Sequence, residues 1–351
     1  MDSSPITASS LRPFFHIKAS EFERAYKDHL SGFRSWVHAG HADEWLIFPE
    51  NAGEFLSLDE TALTDGEVYT ILSNKEAHGR NGSLVAIVKG TLAENVSDKL
   101  KNIPAELREA VREITLDLAD NMRAIARECF PNAIITLDRF HVQKDCFEAL
   151  QHLRVTLKNK SRREDSKARR KHANELRRRK SRRKDPTSRD PRGRKGKRLN
   201  EQYVPERLEN GDTRVELLTR CRCLLSVSGE KWSESQKVRA RILFREYPEL
   251  REAYSVCHSL RAIYNGMDTT RDAGRAALAK WYGKALALEG VFDAVVDTIK
   301  TREDDVVNYF VARSTNASAE SLNSKIKRFR AALHGVVDVK FFLFRLSKIF
   351  G

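Results

Sequence analysis

Apolar positions in the first 145 residues change period several times, and each change marks an element. Residues 54–61, Glu54-Phe55-Leu56-Ser57-Leu58-Asp59-Glu60-Thr61, alternate apolar with polar and arrive at a pair of acids. That is the pattern of a half-buried strand. Residues 68–72 and 84–88 are two more apolar runs, separated by a turn with Gly79, Asn81 and Gly82. Three such runs joined by short polar turns predict an antiparallel meander. Residues 96–100 and 105–111 read as helix. Residues 114–116 are β-prone and stop at Asp117. Met122, Ile125, Ala126, Cys129 and Phe130 then recur at helical spacing until Pro131. Residues 133–137 form a second apolar run that stops at Asp138. Strand, helix, strand predicts a crossover between parallel strands.

The order β-β-β-α-β-α-β puts carboxylates at the ends of the first, fourth and fifth strands. It matches the ribonuclease-H-like α/β topology, a fold of nucleases and strand-transfer enzymes, and this is an analogy of fold alone. Ligands sit at the carboxyl edge of such sheets. The competing reading is that Asp117 and Asp138 only cap the helices that follow them. Upstream, Phe22, Tyr26, Leu30, Phe33 and Trp36 predict a core-packing helix over residues 19–38, with Ser20 as its cap. Residues 45–48 and Pro49 end this lead-in with a turn. Downstream, helices are expected over 145–157, 235–247, 250–264, 273–288, 291–309 and 336–350. Trp232 or Trp281 could stack on an unpaired base, although a tryptophan at such a position is more often core.

Composition then narrows the partner. The chain has 351 residues with 63 Lys and Arg against 49 Asp and Glu, a formal charge of +14. Such an excess points to a polyanion, most often nucleic acid. Much of it falls in residues 158–198, which include Arg162, Arg163, Arg169, Arg170, Lys171, Arg177, Arg178 and Arg179. With so few apolar residues this run cannot build a core, so it is expected to be an unfolded arm that binds phosphates regardless of sequence. The five cysteines form no CxxC pair, which argues against a zinc site or disulfide framework and fits a reducing cytoplasm. No apolar run reaches membrane-spanning length, and no secretory signal is evident at the start.

Residues 310–331, FVARSTNASAESLNSKIKRFRA, return to a chemical pattern. Asn316 or Ser318 can cap a helix that carries Glu320, Asn323, Lys327 and Arg330 on one face. Leu322, Ile326 and Phe329 lie on the other. This could be an ordinary amphipathic surface helix, or it could bring an acid to a metal and phosphate site.

The segments LSLDETAL, ITLDLADNM, PNAIITLDRFHVQK and STNASAESLNSKIKRFR together resemble insertion-sequence DDE transposases of the ISL-three family. The resemblance implies a ribonuclease-H-like catalytic core interrupted by a helical insertion. Its parts would be a lead-in at 1–54, the first part of the core at 55–145, the basic arm and insertion at 146–310, and the returning core at 311–351. It implies Asp59, Asp117 and Glu320 as the catalytic, metal-holding acids, with Glu60, Asp138, His141 and Asn323 in support. Asp138 is the rival for second acid. Lys327 and Arg330 would contact DNA phosphates together with the basic arm. The implied cofactor is Mg²⁺, with Mn²⁺ as a substitute. The implied reaction is strand cleavage at element ends and 3′-hydroxyl transfer into target DNA by a homo-oligomer. One departure is that no cysteine-rich zinc region or helix-turn-helix precedes Asp59, so a separate small DNA-binding protein, the helical insertion or the basic arm could recognise the ends. A nuclease or resolvase on the same fold, and an inactive DNA-binding relic, are the alternatives.

Overall fold

The computed structural model describes residues 1–64, 66–184 and 202–351. Strands β1 (Trp45–Ile47), β2 (Phe55–Thr64), β3 (Glu67–Asn74), β4 (Leu84–Lys89), β5 (Glu113–Leu116) and β6 (Ile134–Leu137) form a sheet in the order β1-β4-β3-β2-β5-β6. The expected meander is β2-β3-β4, and β5 and β6 extend it in parallel with β2. The segment read as a turn-ended lead-in contributes an additional edge strand, because Leu46 pairs with Ile87 and is fully buried. Three residues are too few to show a period, which hides such a strand in sequence.

The described chain forms two compact units. The first comprises Met1–Val142, Met267–Arg275 and Ile299–Gly351; the second comprises Gln143–Gly266 and Ala276–Thr298. At the start of the first unit lie α1 (Ala8–Phe15) and α2 (Ala19–Ala25). The single helix expected over 19–38 is broken. A π turn at Tyr26–Leu30 leads to Gly32, whose φ of 81° suits glycine, and a short 3-10 turn follows at Phe33–Ser35. The aromatic stripe nevertheless packs, with Phe33 and Trp36 against Phe344. Leu30 is the exception and is exposed.

Helices α3 (Ala93–Leu100), α4 (Ala105–Glu109) and α5 (Asp120–Cys129) connect β4, β5 and β6. Met122, Ile125, Ala126 and Cys129 of α5 are all buried, as their spacing requires. Helix α6 (Arg139–Lys184) is the main departure from expectation. It continues through the basic run, which is helical as far as Lys184; residues 185–201 lie outside the described residues. Lys, Arg, Ala, Leu and Glu are all good helix formers, and the helix contains neither Gly nor Pro. The lack of apolar residues signals that this stretch has no core of its own, which is a different matter from having no helix.

The second unit continues with α7 (Arg214–Arg220), α8 (Glu234–Glu246), α9 (Pro248–Asn265) and most of α10 (Arg271–Leu286). Trp281 is buried and donates its indole N–H to the Val256 carbonyl at 3.0 Å, so it packs and does not face a base. The helix expected over 291–309 divides into α11 (Asp293–Thr301) and α12 (Glu303–Val307), because Arg302 leaves helical geometry. Then follow α13 (Tyr309–Ala312), α14 (Ala317–Ala332) and α15 (Val339–Phe350). Helix α12 lies at β6 and α5. Asp305 accepts from Arg123 at 2.5 Å, and Asn308 Nδ2 donates to the Ile135 carbonyl at 2.8 Å. Helix α14 packs on β2 and β3, burying Leu322, Ile326 and Phe329 with Leu46, Ile71 and Ile87 of the sheet and Leu343 and Leu346 of α15. Among the described residues, no helix is long and apolar enough to cross a membrane.

Candidate active site

Strand register aligns three aspartates. Phe55, Leu56 and Ser57 of β2 pair with Glu113, Ile114 and Thr115 of β5, which in turn pair with Ile134, Ile135 and Thr136 of β6. Extended two residues past Ser57, the same offsets set Asp59 beside Asp117 and Asp117 beside Asp138. Neighbours in one row of a parallel sheet project from the same face. The three acids therefore share one row at the carboxyl edge of β5 and β6.

The ladder beneath this row is tied by a buried network. Lys75, just after β3, reaches Glu113 at 3.0 Å and the Thr115 hydroxyl at 2.7 Å. Asp117 accepts from the Ala119 N–H at 2.9 Å, which turns the chain into α5. Asp138 is buried; its carboxylate accepts from the Phe140 N–H at 3.3 Å and its carbonyl from the His141 N–H at 3.1 Å. Both aspartates thus have the local turning role that a cap would have, and this does not remove them from the acidic row.

Helix α14 brings the fourth acid. Asn323 is buried and donates to Asp59 Oδ2 at 2.7 Å. One turn earlier, exposed Glu320 meets Asp138 and His141, with one potential ligand atom from each lying within 4.8 Å of the others. The start of α14 is fixed by Asn316, which is fully buried. Its side chain bonds the Ser57 hydroxyl, and its backbone N–H reaches Asp138. Asn316 occupies the cap position, but its side chain makes no capping bond; it holds α14 to β2 instead. In the sequence it reads only as a cap, because nothing local indicates a partner in β2. Ser318, the other cap candidate, donates to the Lys75 carbonyl at 3.2 Å.

Other expected residues divide between the units. Glu60 accepts from Asn121 Nδ2 at 3.2 Å. Lys327 is exposed, whereas Arg330 donates one guanidinium N–H to the Ala62 carbonyl at 3.1 Å. Arg162, Arg163, Arg169, Arg170, Lys171, Arg177, Arg178 and Arg179 are all on α6 in the second unit. Arg169 pairs with Asp165 at 2.8 Å, one helical turn before it.

The electrostatics call for a cation. Burial raises the Asp59 carboxyl above its ordinary range, and the charge of Asp117 raises it further. Burial likewise raises Asp138, with Glu320 adding to the effect. The main opposing influences are backbone N–H groups, the Asn323 amide and the charge of His141. His141 acts on both aspartates and sits with Asp138 and Glu320. Carboxylates crowded together and partly withdrawn from water fit a divalent ion, and oxygen donors suit hard cations.

Residues 56–346 match the family model for DDE transposases of the ISL3 type, described as transposase. The chain belongs to this transposase family. The matched span runs from β2 into α15 and contains both the aspartate row and Glu320. No curated protein and no solved structure matches the chain. The transposase is therefore a DNA-processing enzyme of an insertion sequence, and DNA is its partner. Its family generally uses a divalent metal, in keeping with the acidic group gathered here.

Proposed function

We propose that this transposase cleaves DNA strands at the ends of its element and joins the freed 3′-hydroxyl to target DNA. In this reading a ribonuclease-H-like core, 55–145 and 311–351, is preceded by the 1–54 segment and interrupted by the basic helix and insertion at 146–310. The observation that carries it is the aspartate row closed by Glu320 from α14. Asp59, Asp117 and Glu320 would supply the oxygen ligands for Mg²⁺, with Mn²⁺ able to replace it. Divalent ions bound in such a site activate the attacking oxygen and neutralise charge on the phosphorus oxygens. The Asn323 amide fixes Oδ2 of Asp59 and the Glu60 N–H its Oδ1, so the carboxylate is oriented from both sides. Asp138 holds the start of α6 and, through the Asn316 N–H, the start of α14. His141 moderates the charge of both neighbouring acids. Lys327 contacts the DNA backbone beside the site. The transposase acts in the cytoplasm as a homo-oligomer on DNA, with end recognition shared with a separate small DNA-binding protein.

A second assignment has specific support: Glu320 gathers with Asp138 and His141, which favours Asp138 as second acid. Cleavage of a labelled element end by Asp59→Asn, Asp117→Asn, Asp138→Asn and Glu320→Gln separates the two. Loss of any essential ligand should cost several orders of magnitude while DNA binding survives. Normal cutting by Asp117→Asn with a dead Asp138→Asn would transfer the role. Normal cutting by Glu320→Gln, or cutting undiminished by EDTA, would overturn the metal site itself.

A further inference from the structure

Helix α6 is longer than its packing requires. Its inner stripe, Ser161, Asp165, His172 and Leu176, is buried or half-buried. Ser161 bonds the Tyr247 hydroxyl at 3.0 Å, and His172 meets the Tyr203 ring at 5.8 Å. The opposite stripe is wholly exposed. At its centre are Arg163, Lys167, Arg170 and Asn174, in steps of four, three and four that keep one face of a helix. Lys160 and Arg178 flank this row on one side; Asn159, Ser166 and Arg177 flank it on the other. Among the acids, Asp165 is on the packed stripe, while Glu164 and Glu175 are at its boundary, so the central row carries none.

The run from Asn159 to Arg178 spans roughly 28 Å at 1.5 Å per residue. A duplex major groove is about 12 Å wide and admits one α-helix. The flanking cations then face the phosphate walls, and the central row faces base edges. Arginine pairs bidentately with guanine, and asparagine with adenine. An unfolded arm would have to order itself on DNA, whereas this face is helical beforehand and held from behind by Tyr203 and Tyr247.

We propose that the exposed face of α6 between Asn159 and Arg178 enters the major groove of duplex DNA and reads base sequence there. This rests on the transposase reading only in taking DNA as the partner. It changes the role of the basic run from sequence-blind attraction to selection.

The test enriches a library of random-sequence DNA duplexes on the full-length chain, and then measures affinity for the enriched and starting pools. The wild-type chain should enrich a motif. Arg170→Ala with Asn174→Ala, both on the solvent face, should reduce preference by roughly 5- to 150-fold per base read. Lys160→Gln, Arg177→Gln and Arg178→Gln together should keep the motif, weaken binding to both pools, and flatten the slope of log affinity against log salt by about 0.9 for each phosphate no longer neutralised. Three outcomes would overturn the proposal. These are no motif with the wild-type chain, an unchanged motif with the central pair removed, and equal affinity for an RNA duplex of the enriched sequence, whose narrow major groove excludes a helix. The catalytic proposal is scored separately. Normal cutting by Asp59→Asn would sink it without touching the groove assignment, and absence of a motif would leave the acids in place.

Discussion

Replacing Lys75 with methionine tests what keeps the aspartate row in register. The Lys75 and Glu113 side chains are only 14% and 7% exposed, and their charged atoms are 3.0 Å apart. Lys75→Met leaves the Glu113 carboxylate buried without its cation and removes the 2.7 Å bond to Thr115. Breaking a buried pair from one side costs about 3–5 kcal/mol, most of it from the stranded charge. For a domain of this size that lowers Tm by about 6–20 °C. Removing both charges in Lys75→Met/Glu113→Leu restores an apolar contact and should recover most of the loss, since buried pairs replaced together are often neutral. A denaturant titration of both single variants and the double variant gives the coupling energy. Hydrogen exchange at the β2 and β5 amides locates it. A Lys75→Met loss below about 1 kcal/mol, or single losses that simply add in the double, would refute the argument that this pair sets the ladder under Asp59 and Asp117.

Three further outcomes follow from the site and its packing. Asp59 and Asp138 have raised folded-state affinities for protons, so their ionisation opposes folding, and the penalty is complete above the folded pKa and absent below the ordinary value. In EDTA at neutral pH, Asp59→Asn and Asp138→Asn should therefore raise Tm, with the gain vanishing in acid; a lower Tm at neutral pH would contradict this. For the same reason, the Mg²⁺ concentration needed for half-maximal cutting should begin to rise on acidification at a higher pH than ordinary aspartates would dictate, as Mg²⁺ titrations at a series of pH values would reveal. Phe329 is almost wholly buried and stacks on Phe342, with centroids 5.4 Å apart, so Phe329→Ala should cost about 3–5 kcal/mol by thermal or chemical denaturation.

The strands that carry the site were legible because they announce themselves locally. Residues 54–61 alternate, and 114–116 and 134–137 are apolar runs that each stop at an aspartate. Helix α14 was legible for a similar reason, since Leu322, Ile326 and Phe329 define its buried face. What stayed hidden depends on partners distant in the chain. Edge strand β1 is defined by β4, and the tie from Asn316 to Ser57 spans 259 positions. The approach of Glu320 to Asp138 and His141 belongs to the same class. The basic half of α6 failed for another reason: expecting disorder from too few apolar residues overlooked helix propensity and the aromatic residues that pack behind it.

The end of β6 and the start of α14 meet at one carboxylate. Asp138 closes β6 where the chain departs, and the Asn316 N–H returns to that same residue. For a protein emerging from the ribosome, the three aspartates exist long before Glu320 does. A chain terminated anywhere between them carries the row without Glu320, and under the proposed assignment it would lack one of the metal-holding acids. The entropy of closing a loop rises only with the logarithm of its length, by about 0.6 kcal/mol for each doubling. Related elements can therefore lengthen or shorten what lies between Asp138 and Asn316 at little thermodynamic cost, provided the two ends still meet.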